Sequence, residues 1–175
     1  MSKIRIGIDP GTESYLCLWE EESNQFYFHQ FPTIGKEIDL DGINKLFRQF
    51  VAPTVSFDVH AVIENVHAIY GSSANNTWNF SKIASALETL LYAYNIPFTK
   101  VQPKAWQKEM WQGVSLQTKK SSTGKTQVND TKAMSEVAAK RLFPNIDLRR
   151  SSRCKTPDQN KVDALLIAEY CRRKF

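Results

Sequence analysis

The chain has 175 residues, 42% of them hydrophobic and 23% charged, which argues against disorder of the whole chain and fits one globular domain, 1–175, with its own core. A net charge of +5, from 23 Lys and Arg against 18 Asp and Glu, favours a polyanionic partner. Cys17, Cys154 and Cys171 form neither a CxxC pair nor a dense framework, which argues against a disulfide scaffold or zinc knuckle and fits reduced thiols.

The N-terminal residues lead into a strand, not a signal-peptide core, and no apolar run approaches the roughly 20 residues of a membrane helix. Lys3 to Ile8, Tyr15 to Glu20 and Gln25 to Phe31 read as strands separated by Pro10-Gly11 and by Glu21 to Asn24, an antiparallel meander. Ile38, Ile43, Leu46, Phe47 and Phe50 recur at helical spacing behind Asp39 and Asp41, giving a crossover helix that feeds a strand from Val59 to Glu64. That strand can pair parallel with the first.

Trp78, Ile83, Ala86, Leu87, Leu90, Leu91 and Tyr94 mark an amphipathic helix from Thr77 to Tyr94, followed by a strand from Ile96 to Val101 and a brief helix from Lys104 to Met110. Residues 113–130 are polar and cationic with little to bury, and are expected to form a mobile loop whose Lys119, Lys120 and Lys125, with Lys104 nearby, would bind phosphates. Asp130 or Thr131 caps a helix that Pro144 ends, and Pro157-Asp158 opens the last helix, running to about Arg172. The order of elements predicts an α/β domain with a mixed five-stranded sheet, three antiparallel strands and then parallel ones, flanked by helices.

Three acids sit on apolar elements: Asp9 ends the first strand, Glu64 ends the strand after the crossover, and Asp163 lies inside Val162-Asp163-Ala164-Leu165-Leu166-Ile167-Ala168. A carboxylate beside a core costs free energy unless a cation compensates it, so acids so far apart in sequence suggest one cation-binding cluster. Parallel strands would place Asp9 and Glu64 at the same carboxyl edge, where Asp163 can join them from a covering helix. Oxygen ligands with room for water suit Mg²⁺ or Mn²⁺ better than zinc, and two ions about 4 Å apart can drive phosphodiester hydrolysis.

The segments Ile6-Gly7-Ile8-Asp9-Pro10-Gly11-Thr12, Val62-Ile63-Glu64-Asn65-Val66 and Val162 to Ala168, in that order and spacing, resemble the RuvC-type Holliday junction resolvases. The resemblance spans nearly the whole chain. It implies an RNase H-like fold, a homodimer, and Mg²⁺- or Mn²⁺-dependent nicking of two symmetry-related strands of a four-way DNA junction, with Asp9, Glu64 and Asp163 as catalytic metal ligands. The family carries another ligand three residues before the last Asp, where this chain has Asn160; either Asp158 or water completes the site, or the amide replaces an original Asp. The family's two lysines are best matched by Lys108 and Lys132, and its base-stacking residue by His67 or Tyr70. The helix with Trp78 and Phe80 resembles the family's dimer helix, although these residues read equally as core. A cytoplasmic location, in a bacterial or virus-infected cell, is expected, or a nuclear or organellar one if a presequence was removed. Bacterial members work with branch-migration motors, but the insertion before Asp130 departs from their compact pattern and leaves that partnership open.

Two other functions share these residues: a nuclease of the same superfamily acting on RNA-DNA hybrids or structured RNA, and a junction-binding module with weakened catalysis. An actin-like ATPase shares the Asp9-Pro10-Gly11-Thr12 turn but needs a second lobe. Thr123-Gly124-Lys125-Thr126 lacks the first glycine of a P-loop.

Overall fold

The computed structural model describes residues 2–11, 13–35, 37–65, 74–121 and 123–175. The first strands are β1 (Lys3–Ile8), β2 (Tyr15–Glu20) and β3 (Gln25–Gln30), an antiparallel meander in which Ile6 faces Leu18 and Leu18 faces Tyr27. A short ribbon, β4 (Thr33–Ile34) with β5 (Glu37–Ile38), leads to Asp39, whose carboxylate accepts the Gly42 amide and caps α1 (Leu40–Leu46). The expected single helix through Phe50 changes pitch instead. Phe47–Val51 is a π-helical turn and Ala52–Ser56 a 3-10 turn, because Pro53 has no amide hydrogen with which to continue the α ladder.

The crossover delivers β6 (Asp58–Glu64) parallel to β1, with Ile8 beside Ile63. Helix α2 (Ala74–Ala93) begins three residues before Thr77, and β7 (Phe98–Val101) begins after Pro97 and pairs parallel with β6. Helix α3 (Pro103–Met110) starts on its proline, where the missing amide costs nothing. The segment expected as a loop folds differently: β8 (Thr118–Lys120) and β9 (Gln127–Asn129) pair as an antiparallel hairpin. Asp130 caps α4 (Thr131–Leu142) by accepting the Ala133 amide, and Asp158 caps α5 (Gln159–Lys174) by accepting the Asn160 amide.

The main sheet runs β3-β2-β1-β6-β7, the mixed five-stranded arrangement expected. Its two faces carry separate cores. On one, Ile4, Ile6, Ile8, Leu16 and Leu18 meet Ile83, Leu87 and Leu91 of α2 and Ile43 and Phe47 of the crossover; on the other, Cys17 and Val62 meet α3, α4 and α5. The α2 residues therefore divide: Leu87 and Leu91 are fully buried, Trp78 is 69% exposed, and Phe80, on the side of Leu87, is partly exposed. Helix α5 is buried along Val162 to Ala168 except at Asp163. It lies directly on β1, since a Cβ built at Gly7 would come 2.2 Å from the Ala164 carbonyl oxygen and 2.3 Å from the Ala168 nitrogen. Only glycine opposite the Ala164–Ala168 stripe permits that approach, which sets the start of α5 over the carboxyl end of β1. Among the described residues, no helix is long and apolar enough to cross a membrane.

Candidate active site

Asp9 and Glu64 each follow by one residue the registered pair Ile8 and Ile63, so two parallel strands end side by side in carboxylates. Asp163, in the second turn of α5, faces the same edge because Gly7 sets the helix against β1. The acids feel one another. Asp9 is held well above the usual carboxylate range by burial first and then by the charges of Glu64 and Asp163. Burial raises Glu64 as well, and burial followed by repulsion from Glu64 pushes Asp163 up to about 7.

Each acid is opposed by a neutral donor. Ser14, itself buried, donates its hydroxyl to Asp9 Oδ2 at 3.2 Å. The indole of buried Trp106, on α3, donates to Glu64 Oε1 at 2.8 Å. Asp163 is lowered by the Ser135 hydroxyl of α4, which also accepts from Trp111 Nε1 at 3.3 Å. Lys132, in the first turn of α4, is the cation acting on Asp163. Among the described residues none of the three carboxylates has an ion-pair partner within 4.0 Å. Repelling, partly buried carboxylates with one lysine at their margin form an electrostatic well for a cation.

Donor type and charge fit a hard divalent ion. Among the described residues, however, no three His, Cys, Asp or Glu side chains stand close enough to form a ready-made metal cluster. That combination suits Mg²⁺, which is commonly held by one or two carboxylates, water and substrate phosphate and not by a complete protein cage.

The residues expected beside Asp163 are engaged elsewhere. Asp158 caps α5 and pairs with Arg150 at 3.0 Å, and Arg150 reaches Glu13 at 3.2 Å. Asn160 donates its side-chain amide to the Glu13 carbonyl at 3.1 Å. Asp158, the expected substitute ligand, and Asn160 thus tie the segment after Asp9 to the start of α5. Of the two lysines, both exposed, Lys132 is the one whose charge acts on Asp163, while Lys108 lies on the last turn of α3. Lys104 is exposed at the start of α3; Lys119, Lys120 and Lys125 are exposed on the hairpin, where Lys119 also pairs with Asp130 at 3.1 Å. His67 and Tyr70 lie outside the described residues.

Ser14, Trp106, Trp111 and Ser135 were not legible as site residues. The one usable signal was tryptophan itself, whose buried N–H needs an acceptor. A cleft of about 480 Å³ between α4 and the residues leading into α5 is lined by Lys140, Phe143, Arg149 and Lys155 and by none of the three acids.

Comparison of folds settles the architecture. RuvC of Thermus thermophilus in complex with a Holliday junction substrate superposes with a TM-score of 0.54 at 12% identity, covering 99% of this chain and 97% of that one. The chain has the RNase H-like fold of RuvC. A second Thermus thermophilus RuvC structure gives 0.53 at 14% identity over 96% and 91% of the two chains. The yeast mitochondrial Holliday junction resolvase Ydc2 gives 0.46 at 16% identity over 99% and 84%. No protein-family model and no curated protein matches the sequence.

Proposed function

We propose that the chain is a structure-selective endonuclease that resolves four-way DNA junctions by hydrolysing phosphodiester bonds in two symmetry-related strands. The convergence of Asp9, Glu64 and Asp163 on the carboxyl edge of a RuvC-type sheet carries this reading. The junction-bound RuvC that shares the fold supports branched DNA as the substrate.

The three acids would hold Mg²⁺ or Mn²⁺, two ions per site. Bound there, the metal supplies Lewis acidity that lowers the pKa of a water and neutralises charge on the scissile phosphate. Trp106 fixes one oxygen of Glu64 and Ser14 one oxygen of Asp9, which would orient both carboxylates to help hold the cation. Lys132, beside Asp163, is placed to meet the phosphate as a point charge. Asp158, Arg150, Glu13 and Asn160 act as positioning residues. Asn160 therefore needs no ionisable group to perform its part. Trp78 and Tyr92, both exposed on one side of α2, are the proposed seam of a homodimer, which supplies one site per nicked strand. The proposed place of action is the cytoplasm.

The test incubates the protein with four-way junction, linear duplex or RNA-DNA hybrid, in Mg²⁺, Mn²⁺ or chelator, and maps the nicks. Paired symmetrical nicks confined to the junction and lost in chelator are expected. Cleavage of the hybrid alone, or junction binding without cleavage in either metal, would overturn the proposal.

A further inference from the structure

The hairpin between α3 and α4 has no evident work inside the fold. All six residues of β8 and β9 are exposed, so the ribbon buries nothing that would repay its ordering. An isolated two-stranded hairpin is marginal in water. This one is nonetheless closed by regular hydrogen bonds: Asp130 to the Gln117 carbonyl at 2.8 Å, Ser121 to the Thr126 carbonyl at 2.8 Å, and a turn in which Gly124 takes φ +70°. The ribbon is built, and the side chains of both its strands stay open to solvent.

Its chemistry says what that surface is. Residues 114–129 contain Lys119, Lys120 and Lys125 and no Asp or Glu, so the ribbon complements a polyanion. Register then sorts the side chains. Thr118 pairs with Asn129 and Lys120 with Gln127, and directly opposed residues share a face. One face therefore presents Thr118, Lys120, Gln127 and Asn129, while Lys119 and Val128 occupy the other. Lys, Gln and Asn are side chains that make paired hydrogen bonds to guanine or adenine edges, and a two-stranded ribbon fits the DNA major groove.

We infer that the β8–β9 hairpin lies in the major groove of a DNA arm and reads base sequence through Lys120, Gln127 and Asn129. This deepens the proposed function and rests on it for the identity of the DNA. The hairpin is joined to the acid cluster by a short path, since Asp130 pairs with Lys119, caps α4, and is followed by Lys132 beside Asp163. A sequence engaged by the ribbon would therefore lie in register with the scissile phosphate, and the preferred cleavage position would be set by the hairpin.

The test selects bound molecules in chelator from pools of duplexes and of four-way junctions with randomised arms, for wild type, Gln127→Ala/Asn129→Ala and Lys125→Ala. All three substituted residues are exposed, so the fold should survive; circular dichroism checks it. Wild type is expected to enrich a short motif. The double variant should lose about tenfold in affinity for that motif while keeping its affinity for unselected DNA, and Lys125→Ala should weaken all sequences alike with a shallower salt dependence. No enrichment by wild type, or an unchanged motif in the double variant, overturns the inference. Wild type that enriches a motif yet nicks no junction in Mg²⁺ or Mn²⁺ overturns the resolvase reading alone; paired junction nicks with an unchanged motif overturn the hairpin inference alone.

Discussion

At the scale of single residues, the site is a set of acids held against their own repulsion. Asp163, pushed up to about 7, binds its proton more tightly in the folded chain than in the unfolded one. Between pH 4 and pH 7 the folded form thus holds the extra proton, and metal-free stability falls as pH rises through that window. A bound divalent ion removes the repulsion but must displace the proton, so its benefit grows as pH rises past 7. Thermal melts are expected to show a larger Mg²⁺-induced rise in Tm at pH 8 than at pH 5.5. In Asp163→Asn, metal-free Tm at pH 8 should rise while the Mg²⁺ effect shrinks; an equal Mg²⁺ shift in both proteins would remove Asp163 from the metal site. The acids were visible in the sequence because a charge ending or interrupting an apolar run is conspicuous. Ser14, Trp106 and Ser135 were not, because each acts on an acid through folding partners that no local pattern links.

At the scale of elements, the decisive contact is β1 against α5. Gly7→Ala would drive a methyl group into the Ala164 carbonyl and the Ala168 nitrogen, both backbone atoms that cannot swing aside. Overpacking of this kind costs about 3 kcal/mol, so Tm is expected to fall by roughly 10 °C in a domain of this size. Cleavage should fall further than stability, because tilting α5 moves Asp163 away from Asp9; activity assayed well below Tm separates the two effects. Unchanged Tm and activity would refute the close approach. Strands and long helices were legible from apolar periodicity, and the two helix caps from Asp130 and Asp158. The β8–β9 hairpin was not legible, because all six of its residues are exposed and leave no alternation to read. The same segment shows how a polar, lysine-bearing run can be ordered by backbone hydrogen bonds with a few side-chain bonds and one ion pair, without a buried face.

At the scale of the whole molecule, paired nicks need two sites facing one junction, hence two chains. Trp78 and Tyr92 offer exposed aromatic surface on one side of α2 for that proposed contact, while Leu87 and Leu91, on the opposite side with Phe80, are spent on the core. Light scattering is expected to report a dimer for the wild type and a monomer for Trp78→Glu. The monomer should leave singly nicked junctions where wild type leaves paired nicks. A Trp78→Glu chain that stays dimeric moves the seam elsewhere.

The packing of the last helix on the first strand also bears on when the site comes into being. During synthesis β1, β2, β3, β6 and β7 emerge with Asp9 and Glu64 while the groove above Gly7 is still open. Docking of α5 is a long-range contact of the kind that forms late, and domains fold as units once their chain is available. The three proposed ligands therefore come together only when α5 closes over Gly7, and a nascent or truncated chain lacking that helix would carry two of the three acids.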